Sequence, residues 1–396
     1  MKSIVFISRD KIGERMAGTA QRYVELARAA GKHTTVGLVA PPGSTRPVDL
    51  DENIQFMSKD VSLRRVAKFL SSYDVWFSQT ISAKELFLLK RNKAEFIYDG
   101  YDPVYIENLE RLSYEQDDIS AKKHLAFIRN ELKRALLNAK YIAYATPAQK
   151  HYLLGQLQAL KGLNLGEYRQ NHSAVGKFVS LPFGMHAQRN LGGSERDELR
   201  KKLGVSKRDQ LALWGGGIWN WFDPLTLLES MRKGYVPNNT KLYFPGFRHP
   251  DPHVPQMQVA SQVMAYIDKY PVLRKRVIIA EGWTPYSRRN ELFGITDVGL
   301  SLHYQSLETE LAFRTRVLEY LAHEVPILST EGDYFAWEIK TQELGEVVPY
   351  LDARAVGLAL HRLQDAKISK MYKKNIDSYR KEYDWDSIIK NLLELL

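Results

Sequence analysis

The stretch "ETELAFRTRVLEY", Glu308 to Tyr320, puts three carboxylates, Glu308, Glu310 and Glu319, close to two guanidinium groups, Arg314 and Arg316. Phe313, Val317, Leu318 and Leu321 recur at helical spacing, which predicts a helix over Phe313–His323. Glu308 and Glu310 precede it, and both arginines fall in its first turn. Cations are unfavourable at that end of a helix dipole, so something must hold them there. Either they pair with the neighbouring carboxylates, or at least one grips a diphosphate, whose oxygens match the planar guanidinium fork.

A second stretch, "WGGGIWNWFDPLTLLESM", has the same chemical flavour. Gly215, Gly216 and Gly217 end an apolar strand, and a helix begins near Asp223–Pro224. Glycines let a ligand approach the backbone closely, and a helix N-terminus favours phosphate. Tight packing alone is the other reason for such a turn. Trp219 and Trp221 lie between strand and helix.

Other chemistry is excluded. The chain has no cysteine, hence no disulfide, thiolate metal site or Cys nucleophile, which fits a cytoplasmic protein. His249, Asp251 and His253 in "RHPDPH" have chelate-like spacing, but Pro250 and Pro252 impose an extended turn and no cluster completes the set; no metal is expected. No Gly-x-Ser-x-Gly elbow is present.

The elements that must position these residues alternate regularly. "SIVFIS", "TTVGLVAP", "DVWFSQ", "AEFIYDG", "YIAYAT" and "KFVSLPFG" read as buried strands separated by helical patterns. The first helix, "TAQRYVELARAAG", places Tyr23, Leu26, Ala27 and Ala30 on one face. "MKSIVFISRD" is too short an apolar run for a signal-peptide core. A polar linker and one charged helix cover 187–209. Strands then resume with "LALWGGG", "KLYFPG", "VIIAEG", "VGLSLH" and "PILST". The expectation is two doubly wound α/β domains, 1–186 and 210–370, facing a central cleft, with residues from about 371 to 396 returning to the first. Ligands of open α/β sheets bind at the carboxyl ends of the strands.

The 396 residues carry a net charge of +10, unevenly spread. Residues 1–190 hold 28 Lys and Arg against 19 Asp and Glu; the rest hold 28 against 27. An anionic partner for the first half follows. No zinc-ligand spacing, RNA-recognition signature or basic arm supports nucleic acid. Anionic lipid or an acidic glycan suits the pattern, and the basic amphipathic segment "KKHLAFIRNELKRALL" could lie on a membrane or pack as an ordinary domain helix.

In order along the chain, "RMAGTAQRYVELARAAGKHTTVGLVAP", "YDGYDP", "ATPAQKHYLLGQLQALKGLN", "SLPFGM", "LWGGGIWNWFDPLTLLESM", "FPGFRHPDPHVPQM", "EGWTPYSRRNELFGITDVGLSLH" and "ETELAFRTRVLEYLAHEVPILSTEGD" resemble the retaining nucleotide-sugar glycosyltransferases of family 4, in particular a bacterial subgroup with an ET…FRTR…EY motif. The resemblance implies the GT-B fold, two Rossmann-like domains. It implies transfer of a sugar, hexosyltransferase-like and with retention, from a nucleoside-diphosphate sugar to a glycan or lipid-linked hydroxyl acceptor in surface-glycan synthesis. No cofactor and no metal are implied, nor is nucleic acid as a partner; the location implied is cytoplasmic or peripheral on the inner membrane face.

It also implies roles. Glu319 matches the ribose-binding position, and Glu308 or Glu310 the donor-sugar contact. The family's Arg and Lys after the first strand of the C-terminal half are missing from "GGGIWNWFDP", which moves the diphosphate clamp to Arg314 and Arg316, with Arg248 behind them. Trp219 and Trp221 become walls of the site. Trp283, Pro285 and Tyr286 should lie beside the base. Gly18 should admit the donor phosphate, and Asp99 and Asp102 should meet the acceptor or positive charge at the sugar carbon; turn formation is the other reading of both aspartates. Two rivals stand beside this. A dinucleotide-dependent oxidoreductase lacks its fingerprint, since "SRDKIGERMAG" has the wrong glycine spacing. A catalytically silent nucleotide- or glycan-binding relative fits the missing Arg and Lys.

Overall fold

The computed structural model describes Met1 to Leu396 except residues 15, 17, 115–116, 164, 171, 173–174, 187, 189–190, 248–256, 281 and 283–287, and the side chains of 167, 170 and 175. The chain forms two compact units, Met1–Gly184 with Tyr383–Leu396, and Met185–Glu382.

The first unit is built on β1 (Ile4–Ile7), β2 (Val36–Ala40), β3 (Gln55–Ser58), β4 (Val75–Ser78), β5 (Glu95–Asp99), β6 (Tyr141–Tyr144) and β7 (Phe178–Ser180), in the order β3-β2-β1-β4-β5-β6-β7. The second uses β8 (Gln210–Leu213), β9 (Thr240–Phe244), β10 (Val277–Ile279), β11 (Val298–Ser301), β12 (Ile327–Thr330) and β13 (Gly345–Val348), in the order β10-β9-β8-β11-β12-β13. All pairings are parallel. Each chain path starts at a middle strand, runs outward, then restarts on the other side. The switch points are therefore β1/β4 and β8/β11, where open sheets leave a crevice beyond their carboxyl ends.

The strands explain why the alternation was legible. "IVFI" of β1, "VWFS" of β4 and "QLAL" of β8 are buried at every position, since helices cover both faces. Sequence reading missed two strands, β3 and β13. Both are sheet edges, and their middle residues are only half-buried. The helix Gly18–Gly31 buries the predicted face, but also Arg22 and Glu25. It lies against the C-terminal helix Trp385–Leu393, so its polar side is covered too. Trp385 fills the seam, with its ring 5.2 Å from that of Phe183.

Two boundaries differ from expectation. The helix Gly193–Lys202 belongs to the second unit, tied in by Arg196 and Arg200, which hold Asp297 at 2.6 and 2.8 Å. The chain rejoins the first unit at Tyr383 instead of about residue 371. In the preceding helix, Ala366–Tyr379, Tyr372 and Ile376 are buried, and the Tyr372 hydroxyl donates to Glu346 at 2.7 Å, anchoring it to the second unit. Among the described residues no helix is long and apolar enough to cross a membrane.

Candidate functional site

The second unit's switch point is stapled by one side chain. Tyr320, on the helix Thr315–Ala322, lies fully buried beneath β8 and β11. Its hydroxyl faces the carbonyls of Leu213 and Leu300 at 2.9 and 3.0 Å and accepts the Gly215 N–H at 2.7 Å. A Cβ at Gly299 would come within 2.3 Å of its ring, and one at Gly215 within 2.9 Å of its hydroxyl. Gly215 is thus small to admit a tyrosine, and its N–H is already used. Gly216 turns the chain at φ +85°. Among the described residues the N–H groups of Gly216 and Gly217 meet no acceptor.

Over this loop lies Arg316. Its Nη2 donates to the Gly217 carbonyl at 2.9 Å, and its guanidinium stacks 3.8 Å from the centre of the Phe222 ring. Its Nη1 is buried without a partner, and among the described residues no carboxylate pairs with it. Burial is the largest influence and holds its pKa down to about 10, with the charge of Arg314 acting in the same direction. It stays cationic at neutral pH, poorly solvated and unneutralised. An anion placed there would relieve both costs.

Arg314 is different. Both its Nη atoms reach Glu308, at 2.7 Å each, and the pair is almost completely buried. Glu308 therefore faces Arg314, and the sequence reading that one arginine pairs with a neighbouring carboxylate describes this one. Asp333 approaches Arg314 Nε at 3.6 Å and meets His303 Nε2 at 3.1 Å. Burial alone would raise the Asp333 pKa; His303 and Arg314 outweigh it, and the carboxyl sits below its ordinary value. His303 is fully buried with Nδ1 unpartnered. The isolated bridge Phe222↔His303 ties this network to the glycine loop.

The other expected residues fall as follows. Glu310 is exposed, on the short helix Leu307–Leu311. Glu319 is half-buried and pairs with Arg289 at 3.0 Å. Trp219 and Trp221 stack on each other, 5.3 Å apart and 6° from parallel, and Trp221 is part of the core, so these rings wall each other. The helix Pro224–Arg232 does not offer an open N-terminus. Asp223, fully buried, caps it by accepting from the Thr226 N–H at 2.9 Å, and Pro224 has no N–H. The dipole end already has its carboxylate. Arg248, Trp283, Pro285 and Tyr286, and the His249–His253 stretch, lie outside the described residues.

In the first unit, Gly18 is exposed at the start of its helix, and the next residue, Thr19, meets the Tyr101 hydroxyl at 3.3 Å. Asp99 ends β5 but opens onto nothing. It is completely buried, and Arg22 holds it through Nε and Nη2 at 3.0 and 2.9 Å. This corrects its expected exposure to a ligand; the arginine that consumes it lay on what the sequence presented as a polar helix face. Asp102 is half-buried and accepts from Gln79 Nε2 at 3.2 Å. Burial, with the charge of Asp99 adding, pushes its carboxyl up to about 7.

Tyr320, His303, Asp333 and Phe222 were not singled out from sequence. Tyr320 entered only as the last residue of the ET…FRTR…EY motif; its place under the sheet was signalled by two distant glycines, Gly299 within a strand, where glycine is otherwise a cost, and Gly215 just after one.

No protein-family model and no curated protein matches the chain. Solved structures do. Anabaena HepE in complex with UDP and glucose aligns at TM-score 0.67 and 12% identity over 100% of this chain and 99% of its own. Sucrose-phosphate synthase from Thermosynechococcus elongatus aligns at 0.70 and 14%, over 100% and 98%. WaaG, a glycosyltransferase involved in lipopolysaccharide biosynthesis, aligns at 0.65 and 16%, over 99% of both chains. With two parallel doubly wound sheets on the page, these alignments identify the fold as GT-B, two Rossmann-like units in one chain.

Proposed function

We propose that the protein is a retaining glycosyltransferase that moves a hexose from a nucleoside-diphosphate sugar to a hydroxyl of a glycan or lipid-linked acceptor, in the synthesis of a cell-surface glycan. The observation that carries the reading is Arg316, a half-buried arginine whose Nη1 is buried without a partner and which pairs with no carboxylate among the described residues, set over the free N–H groups of Gly216 and Gly217 at the β8/β11 switch point. Such an arrangement suits a diphosphate. HepE, of the same fold, was solved with UDP-glucose, and WaaG acts in lipopolysaccharide biosynthesis.

In the reaction, the bond from the anomeric carbon to the diphosphate oxygen breaks and a bond to the acceptor oxygen forms on the same face. The acceptor's proton passes to the departing phosphate oxygen, so no enzyme nucleophile is needed. Arg316 stabilises the charge growing on the leaving group. Glu308 and Arg314 act indirectly by fixing the turn that carries Arg316. Glu310 is left as the carboxylate for the donor sugar, and Glu319 exchanges Arg289 for the ribose hydroxyls. In the first unit, Gly18 admits the donor phosphate and Asp102 serves the acceptor. No metal or cofactor takes part, so EDTA leaves the rate unchanged. The protein acts at the cytoplasmic face of an anionic membrane, which it meets through its basic first unit. There the helix Asp118–Asn138 exposes Ile119 and Phe127 beside Lys122 and Lys123. Co-sedimentation with anionic but not neutral vesicles, lost at high salt, is the expected result.

The direct test is mass-spectrometric screening of nucleotide sugars for consumption, alongside calorimetric titration with UDP and GDP. Binding with turnover is expected. Binding without transfer or hydrolysis would leave the catalytically silent relative. Absence of nucleoside-diphosphate binding would end the proposal.

A further inference from the structure

We propose that the second unit carries another anion site, for a small phosphorylated sugar or polyol, at the opposite end of its sheet. A cavity of about 440 Å³ opens where β8 and β9 begin, beside the helix Ala366–Tyr379. Its size is that of a small-molecule site, and its polar lining suits a hydrophilic ligand. β8 starts at this cavity with Gln210 and ends at the glycine loop, so the two places lie at opposite strand ends.

The charge around the cavity is not balanced locally. Arg208, Lys370 and Lys373 converge on it from two segments. Among the described residues none of their side chains makes an ion pair or hydrogen bond. Lys370 and Lys373 are neighbours on one helix turn, where like charges repel. Of the two lining carboxylates, Asp297 is already held by Arg196, Arg200 and the Leu211 N–H. Asp209 accepts the Ser206 N–H at 2.7 Å. Three solvated cations around a concavity, facing one neutralised and one backbone-bound carboxylate, match a phosphate dianion.

The floor supplies the rest of the recognition. Gln364 Nε2 donates to Asn239 Oδ1 at 3.0 Å and to Gln210 Oε1 at 3.3 Å, and Thr240 Oγ1 donates to Gln210 Oε1 at 2.9 Å. These bonds orient the Gln364 carboxamide and leave its carbonyl as an acceptor. Ser369 lines the same wall. Together they offer donors and acceptors to ligand hydroxyls next to the cations. The site does not depend on what binds at the glycine loop.

The test uses glucose 6-phosphate and inorganic phosphate as probes, titrated calorimetrically at fixed ionic strength. The proteins are the wild type, the triple variant R208Q/K370Q/K373Q and R316A. The three substituted side chains are exposed, so the triple variant should fold, which circular dichroism checks. Saturable binding of glucose 6-phosphate to the wild type and to R316A is expected, tighter than that of phosphate, and weakened about tenfold or more in the triple variant. Wild-type affinity in the triple variant, loss in R316A, or no saturable binding at all would overturn the site. Equal affinity for the two probes would overturn the sugar or polyol as its ligand.

Discussion

Arg22 in the first unit and Arg316 in the second both reach under the carboxyl ends of a parallel sheet, and both are drawn into protein, yet their surroundings are opposite. Arg22 spends every nitrogen. Nε and Nη2 hold Asp99, Nη1 meets the Pro182 carbonyl and Nη2 also meets Leu181. Arg316 has one hydrogen bond and an aromatic face. An arginine near strand ends is therefore not in itself a ligand site. A closed guanidinium holds the fold together; one left short of partners stores the potential to bind an anion. Arg314 and Arg316 repeat the contrast two residues apart.

The largest effect should come from breaking a closed pair. Asp99→Ala, or Glu308→Ala, strands a buried cation and should cost about 3–5 kcal/mol of stability, read by urea unfolding. A loss below 1 kcal/mol would mean the pair is hydrated and the contrast is false. Next is Arg316→Ala. Nucleoside-diphosphate affinity should fall by about 1.5–3 kcal/mol, while the urea midpoint hardly moves. Lysine at 316 should not fully rescue, because it lacks the planar fork. If the alanine variant unfolds yet binds nucleotide normally when folded, Arg316 belongs with Arg22. Tyr320→Phe should be smaller, about 1–2 kcal/mol of stability from the hydrogen bonds lost to buried backbone groups. It should also loosen the glycine loop and weaken nucleotide binding; unchanged affinity would separate the staple from the site.

A pH-dependent effect sharpens the first unit's side of the comparison. Asp102 is raised from 3.8 to about 7. Between those values the native state keeps a proton that the unfolded chain has lost, so stability declines as pH rises through this window and levels off above 7. Asp102→Asn should remove that slope, gaining on the wild type between pH 5 and pH 8 in parallel denaturation curves. Identical slopes in both proteins would show that Asp102 ionises freely.

The sheets were legible because helices bury both faces of the central strands, which leaves runs such as "VWFS" and "VGLS" with no other reading. The helix Ala353–Gln364 was legible to its ends, having Asp352 as cap and a regular apolar stripe. The edges β3 and β13 were not, since a half-covered strand leaves a weak apolar trace. In the candidate site, the glycine loop and the arginine pair were visible as residue types. Which arginine was free was not visible, because Glu308 lies six residues from Arg314 and eight from Arg316, both within side-chain reach.

What the amino-acid order determined by itself was local: where apolar runs form strands, where caps start helices, and that the excess basic charge belongs to the first half. What only the tertiary structure decided was pairing. Asp99 and Arg22 are 77 residues apart, Tyr320 and Gly215 are 105, and Arg316 meets Gly217 across 99. Nothing in chain order ranks such partners. Hydrogen bonding and ion pairing act over a few ångströms, so which charges are neutralised and which remain open is settled only when the sheet order brings distant strand ends together.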